Sequence, residues 1–255
     1  MKRAPGTVYL VGAGPGAPDL LTLRAAEVLK RADVVFHDAL VHPEVLALAA
    51  RARKVPVGKR SGRYATAQQF INKRLVDAAR AHRVVVRLKG GDPTLFGRAQ
   101  EEIAALQAAR VPYEIVPGVT AAMAAAAEAG LSLTQRGLAR SVVFVTPRVG
   151  KGEAPSDWAR SAAGADTAVI YMGAGEAEAI TAALLGAGAS PSLPVLVIEN
   201  ASLPQARRVA LTLVELPGIS AYGFEGPTVI MLGAVFASAL AATAESAFPP
   251  LYRMA

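Results

Sequence analysis

Short valine- and isoleucine-rich runs alternate along this chain with longer segments of helical periodicity, and no other feature limits the fold so tightly. In the first half the strand-like runs are residues 7–11, 33–37, 53–57, 84–88 and 113–116. Between them, residues 20–31, 43–50, 67–81 and 99–109 place helix formers at helical spacing. Such alternation is the pattern of an α/β protein built on a largely parallel sheet. The rhythm restarts after Pro117 and Gly118, with strands expected at 141–146, 167–171, 194–198, 209–212 and 228–232. We therefore read an N-terminal α/β domain over 1–117, a second α/β domain over 118–245 and a tail over 246–255. A chain of 255 residues is long enough to give both domains a core. The stretch TPRVGKGEAPSDW is too rich in glycine, proline and polar groups for a regular element and reads as a loop.

Several function classes drop out on composition. No stretch approaches the roughly 20 uninterrupted apolar residues of a membrane span, and no leader pattern opens the chain. The expectation is a soluble, cytoplasmic protein with no membrane partner. The absence of cysteine excludes disulfides and thiolate chemistry. His37, His42 and His82 are too scattered to form a metal-ligand set, so no metal is expected. The net charge is +7, with basic residues gathered at Lys59, Arg60 and Arg63, at Arg83, Arg87 and Lys89, and at Arg98. Few aromatic residues lie among them, which argues against nucleic acid and leaves a polyanionic small molecule or a generally basic surface.

The stretch VYLVGAGPGAPDLLT opens like a dinucleotide loop, since Gly12, Gly14 and Ala17 satisfy G-x-G-x-x-G/A and Asp38 ends the next strand. Pro15 and Pro18 speak against it. Proline lacks an N–H and pushes the residue before it out of helical space, so the helix cannot begin inside the motif and grip a phosphate. The helix should start near Asp19 or Thr22, both good N-caps, and the loop suits a nucleoside-like ligand without phosphates. A second loop, RLKGGDPTLFGR, sets Gly90, Gly91 and Asp92 just past a strand's carboxyl end, where open α/β sheets bind ligands. Two such loops at neighbouring strand ends point to one shared site.

Seven segments, GAGPGAPDLLT, DVVFHDALV, VGKRSG, VVRLKGGDP, VPGVTAA, YMG and GPTVIMLG, then follow in the order and spacing of the tetrapyrrole methylases, which this chain resembles from about residue 6 to 240. The likeness is strongest to members that methylate uroporphyrinogen III, in the form without the dehydrogenase–ferrochelatase module that some relatives carry. It implies two α/β domains with a cofactor cleft between them, a homodimer, and S-adenosylmethionine as methyl donor, leaving S-adenosylhomocysteine. Matched position by position, the cofactor contacts would be Pro15, Gly90, Gly91, Asp92, Leu95, Thr120, Ala121, Met172 and Ala201.

The implied reaction methylates uroporphyrinogen III at C2 and C7 to precorrin-2, on the route to sirohaem, haem d1 and cobalamin. The resemblance makes Asp38 the proton acceptor and Lys59 the proton donor, with Arg98 as a third catalytic group. Without it, Asp38 would read as a turn cap and Lys59 as a solvated charge. Arg60, Arg98, Glu101 and Arg136 would meet the polycarboxylate substrate, Glu101 by orienting Arg98 from one helical turn away, with Arg87 and Arg63 as further rim candidates. The chain departs from the family at Ala39, where an arginine is usual, at Pro147 and Arg148 in place of Gly-His, at Ala99 and Gln100 in place of two glycines, at Gln135 in place of histidine, and at Ala201 in place of glycine. Most of these lie on the substrate side. A methylase of a later corrinoid precursor, or a binding protein that keeps the cofactor site, are the competing readings.

Overall fold

In the N-terminal part of the computed structural model, valine-rich strands form one five-stranded sheet, and the residues described are 4–58, 68–150, 152, 154 and 156–245. Its strands are β1 (Thr7–Gly12), β2 (Val34–His37), β3 (Arg53–Pro56), β4 (Val84–Lys89) and β5 (Tyr113–Val116). They lie in the order β3-β2-β4-β1-β5, and every pairing is parallel. Parallel sheets need helices on both faces, which is why the central strands β1, β2 and β4 are largely apolar, whereas the edge strand β3 is mostly exposed. On one face Val8, Leu10, Phe36 and Val85 pack with Ile71 and Leu75 of α3 (Gln68–Ala81) and with Ile103 and Leu106 of α4 (Ala99–Ala108). On the other, Val11, Val35, Val86 and Leu88 meet Val28 and Leu29 of α1 (Leu23–Lys30) and Val45 of α2 (Pro43–Ala47).

The first helix begins later than residue 20. Pro18–Leu20 forms a single 3-10 turn, Leu21 is extended, and α1 starts behind Thr22, whose hydroxyl accepts the Ala25 N–H at 3.2 Å. Two prolines and a β-branched cap thus separate the glycine loop from the helix.

The C-terminal sheet comprises β6 (Val142–Val145), β7 (Thr167–Tyr171), β8 (Pro194–Glu199), β9 (Arg207–Thr212) and β10 (Thr228–Gly233), in the order β6-β7-β10-β8-β9. Here the expected parallel arrangement is corrected: only β6 and β7 run parallel, and the other three pairings are antiparallel. Residues 200–206, which join β8 to β9, are too few for the crossover of a dozen or more residues that a parallel pair requires, so the chain turns back as a hairpin. Val145, Ile170, Val197 and Ile230 pack there with Ile180 and Leu184 of a further helix, Ala177–Gly186. The chain divides into two compact units, 1–121 and 122–255, at the start of α5 (Ala121–Ala129). The described residues of the second unit also include the helices Trp158–Ala163 before β7 and Ala237–Glu245 after β10, and a 3-10 helix over Leu213–Tyr222.

Candidate active site

Strand β1 connects towards β2 on one side of the first sheet, and β4 connects towards β5 on the other. The loops after β1 and β4 therefore leave from the point where the winding reverses, the place where open α/β sheets take ligands. They are fastened to each other: the Gly14 N–H donates to the Gly91 carbonyl at 3.2 Å, and the Gly91 N–H returns to the Gly14 carbonyl at 2.8 Å. The approach leaves no room for side chains. A Cβ on Gly12 would lie 2.6 Å from the Gly91 oxygen and 2.7 Å from the Gly118 Cα. Gly91 and Gly14 take φ of +64° and +70°, a region that favours glycine. Gly90, by contrast, is exposed, and a Cβ there would meet only the Leu40 side chain at 3.7 Å.

Asp92 locks this arrangement. One carboxylate oxygen accepts the Thr94 N–H and hydroxyl, and the other accepts the Gly118 N–H at 2.9 Å, tying the loop after β4 to the loop after β5. Burial alone would raise the Asp92 carboxyl, but these hydrogen bonds outweigh it and hold the group below the ordinary aspartate value. Pro15 and Leu95 are half-buried in the loops after β1 and β4, and Thr120 and Ala121 lie against Gly91, whose absent Cβ would sit 3.8 Å from the Thr120 Cα. Pro15, Gly90, Gly91, Asp92, Leu95 and Thr120 thus lie on the loops after β1, β4 and β5, at one end of the first unit, and Ala121 opens α5 directly after them.

Asp38, just beyond β2, sits at the same sheet end with its side chain 31 % exposed. Behind it lies a buried ionic cluster. Arg87 donates to Asp38 Oδ1 from one terminal nitrogen, to Glu102 Oε1 from Nε at 2.8 Å, and to the Leu88 carbonyl at 3.2 Å. Lys89 Nζ completes it, 3.0 Å from Glu102 Oε2. Burial would lower the Arg87 guanidinium, but the charges of Asp38 and Glu102 outweigh that and raise it. Burial and the neighbouring Arg87 charge push the Lys89 ammonium below its ordinary value, against the pull of Glu102 and Asp38. Arg87 is only 3 % exposed, so it is withdrawn from the rim of substrate-facing arginines expected from the sequence.

Arg98 does stand at the surface, as the N-cap residue of α4 with φ of +55°. Its guanidinium makes a two-pronged contact with Glu101, Nε to Oε1 at 2.6 Å and a terminal nitrogen to Oε2 at 2.8 Å. The hydrogen bond from Arg98 holds the Glu101 carboxyl below the ordinary glutamate value. Beside the pair opens a groove of about 270 Å³, lined by Phe96, Arg98, Gln100 and Ile115 among others.

In the second unit Met172 follows β7 with φ of +58° and is 45 % exposed. Ala201 is buried at the turn after β8. Its neighbour Glu199 organises that turn: one oxygen accepts the N–H groups of Glu225 and Gly226, each at 2.6 Å, and the other accepts Arg207 Nε at 2.7 Å. Burial would raise the Glu199 carboxyl, and the bonds from Arg207 and the two amides bring it below its ordinary value. Arg136 is exposed at the tip of a tight turn closed by backbone bonds between Gln135 and Ala139. Lys59 and Arg60, with Arg63, fall outside the described residues.

Sequence reasoning missed Glu102, Glu199 and Arg207. Glu102 could have been found, because Ala99, Glu102, Ile103 and Leu106 share one helical face and Arg87 and Lys89 share a strand face with Val85. Among the described residues no group of His, Asp and Glu could hold a metal ion, and no helix is long and apolar enough to cross a membrane.

The family model described as Tetrapyrrole (Corrin/Porphyrin) Methylases matches residues 7–217. A siroheme synthase of Chromobacterium violaceum is 46% identical over 232 residues, covering 90% of this chain and 49% of the relative. A siroheme synthase of a Psychrobacter species is likewise 46% identical, over 84% of this chain and 44% of its own length. The chain thus spans about half the length of these relatives. Among solved structures, the uroporphyrin-III C-methyl transferase of Thermus thermophilus complexed with S-adenyl homocysteine is similar at 44% identity and a TM-score of 0.79, over 91% of this chain and all of the other. A cobalamin biosynthetic enzyme, cobalt precorrin-4 methyltransferase, aligns at 29% identity and a TM-score of 0.77, over 89% of this chain and 94% of its own.

Proposed function

This chain belongs to the tetrapyrrole methylases, and we propose on that premise that it is an S-adenosylmethionine-dependent C-methyltransferase that converts uroporphyrinogen III to precorrin-2 by methylation at C2 and C7. The observation that carries the reading is the pair of glycine loops after β1 and β4, bonded to each other at the point where the sheet's winding reverses. The site fits the cofactor's chemistry. S-adenosylmethionine carries no phosphate, and α1 begins only at Leu23, so the helix after the first glycine loop does not offer its N-terminus to one. What the loops do offer is the exposed backbone at Gly90, with no side chain of its own in the way. Pro15, Gly90, Gly91, Asp92, Leu95, Thr120, Ala121, Met172 and Ala201 are the proposed cofactor contacts. Asp92 serves there by holding the loops after β4 and β5 together, since both its oxygens are engaged by protein donors.

When bound, the cofactor supplies an electrophilic methyl group to a pyrrole carbon of the substrate. The protein's task is to hold the two reactants in contact and to take up the proton the macrocycle then loses. Asp38 is the proposed acceptor, and two observations support it: one oxygen is held by Arg87, and the side chain reaches solvent at the sheet's carboxyl end. Arg98, braced by Glu101, binds a substrate carboxylate in the fork geometry of a guanidinium, and Arg60 and Arg136 extend the same role. Lys59 keeps its place as proton donor on the resemblance alone. A homodimer in the cytoplasm, and a place on the siroheme route, complete the proposal; the siroheme synthases among its relatives support the last.

A methylase of a later corrinoid precursor is the second reading, favoured by the likeness to the cobalt precorrin-4 enzyme. Anaerobic incubation with S-adenosylmethionine and uroporphyrinogen III, followed by mass spectrometry of the macrocycle, separates the two. Two added methyl groups support the first reading. An unmodified macrocycle, with a later precursor methylated in its place, refutes it.

A further inference from the structure

Arg87, Lys89 and Glu102 are almost fully enclosed, and the transfer proposed above gives none of them a direct part. Burying charges is costly, and a buried ion pair is often no more stabilising than the apolar residues that could replace it. The three buried charges sum to one positive charge, and Asp38 supplies the balancing negative one. Asp38 is also the only member that reaches solvent to any extent, its side chain 31 % exposed against 4 % for Arg87, 3 % for Lys89 and 0 % for Glu102.

The geometry runs in one direction. Glu102 is fixed first: it stands on the inward face of α4 beside Ile103 and Leu106, and its carboxylate takes Arg87 and Gln68 on one oxygen and Lys89 on the other. Arg87 is fixed next, because its three nitrogens point at three different acceptors, Glu102, the Leu88 carbonyl and Asp38. A planar guanidinium held by two of these cannot swing to follow the third. Asp38 must therefore come to Arg87, which fixes its rotation and commits Oδ1, leaving Oδ2 as the atom that takes up the proton.

We propose that Arg87 is a positioning residue for the Asp38 carboxylate, with Glu102 as the anchor that holds Arg87 in place. The proposal rests on the reading of Asp38 as proton acceptor. Its function is preorganisation: the carboxylate meets the macrocycle in one orientation instead of searching several.

Steady-state methylation of uroporphyrinogen III under anaerobic conditions tests it, with S-adenosylhomocysteine affinity measured by calorimetry. Arg87→Met is expected to lower kcat by about 10- to 100-fold, part of the roughly 10²–10⁴-fold that a placed proton acceptor contributes. KM for the macrocycle and the affinity for S-adenosylhomocysteine should stay within about twofold, because neither ligand touches Arg87. The double variant Asp38→Asn with Arg87→Met should be no slower than Asp38→Asn alone to within about threefold, since the two act as one unit. A purely structural role predicts otherwise: a lower Tm, an unchanged kcat per folded molecule, and losses that multiply. Either an unchanged kcat in Arg87→Met or multiplying losses overturns the proposal. Arg87→Lys gives the same readout should the methionine variant not fold, because one ammonium retains the charge but cannot span both carboxylates. Its kcat is expected to fall about tenfold at unchanged KM, and full activity would overturn the proposal. If Asp38→Asn is slow while Arg87→Met is fast, the positioning role alone fails. If Asp38→Asn is itself as fast as the parent, the reading of Asp38 fails and takes the positioning role with it.

Discussion

A methyl group added at Gly12 and one added at Gly90 should do opposite things, although the two glycines flank the same pair of loops. At Gly12 the new Cβ would stand 2.6 Å from the Gly91 oxygen and 2.7 Å from the Gly118 N and Cα, all backbone atoms. Ordinary contact begins near 3.4 Å, so the loops after β1, β4 and β5 must part by about 0.8 Å. Overpacking of this kind costs about 1–3 kcal/mol, and the reciprocal Gly14–Gly91 bonds it disturbs contribute about 0.5–1.5 kcal/mol each. We expect Gly12→Ala to lose about 2–6 kcal/mol in urea unfolding, as a lower midpoint at unchanged slope. At Gly90 the Cβ meets only Leu40, at an ordinary 3.7 Å, and the backbone φ is not in the left-handed region, so stability should move by less than about 1 kcal/mol. The methyl instead enters the space assigned to the cofactor. S-adenosylhomocysteine affinity, measured by calorimetry, should fall at least about tenfold, or about 1.4 kcal/mol. A Gly12→Ala protein within 1 kcal/mol of the parent would refute the packing argument, and a Gly90→Ala protein that binds normally would remove Gly90 from the site.

Glu102→Ala leaves two buried cations facing each other and should cost about 3–5 kcal/mol in the same urea assay; a loss under 1 kcal/mol would mean the cluster is already hydrated. Arg98→Ala, at a side chain 58 % exposed, should fold normally and bind S-adenosylhomocysteine like the parent. Its kcat/KM for the polycarboxylate macrocycle should nevertheless drop by about tenfold or more, and equal rates would take Arg98 out of substrate binding. The acid limb of stability has a predictable sign: Glu199 and Asp92 are held below their ordinary values in the fold, so the unfolded chain takes up their protons first. Their contribution is complete above the ordinary carboxylate range near pH 4 and is lost as pH falls through the depressed folded values. Urea unfolding between pH 3 and 7 should show that decline, and Glu199→Gln should be less stable at pH 7 yet lose less on acidification. A steeper decline in that variant would reverse the argument.

The runs of valine and isoleucine that suggested ten strands did so because the central strands of both sheets are buried, and all ten form. Strand direction was less legible. A run such as VLVIE looks the same in a parallel or an antiparallel sheet, and only the brevity of residues 200–206 betrays the hairpin after it. The start of α1 was half legible. Thr22 was one of two caps that the sequence offered, and Asp19 lost because it lies within the 3-10 turn begun by Pro18. The glycines of the site could be read for a related reason: close backbone approach admits no other residue, so Gly12, Gly91 and Gly118 announce a crossing of loops before the partner loop is known.

Charges announce much less, because a charged side chain reads the same in solution and in a buried pair. Arg87 stood with Arg98 among the candidate rim arginines, yet Val85, Arg87 and Lys89 share a strand face that α3 and α4 cover. What decides between surface and interior is the carboxylate fifteen residues on at Glu102, whose bond to Arg87 depends on how α4 docks. Glu101 and Glu102 are neighbours, and one step along a helix turns the side chain by about 100°. That turn sends Glu101 outward to Arg98 and Glu102 inward to Arg87. The first turn of α4 therefore braces two groups assigned to the reaction, Arg98 directly and Asp38 through Arg87. A change that rotates or frays that turn should weaken substrate capture and proton uptake together, whereas substitutions at Glu101 and Glu102 taken singly should separate them, KM rising in the first and kcat falling in the second.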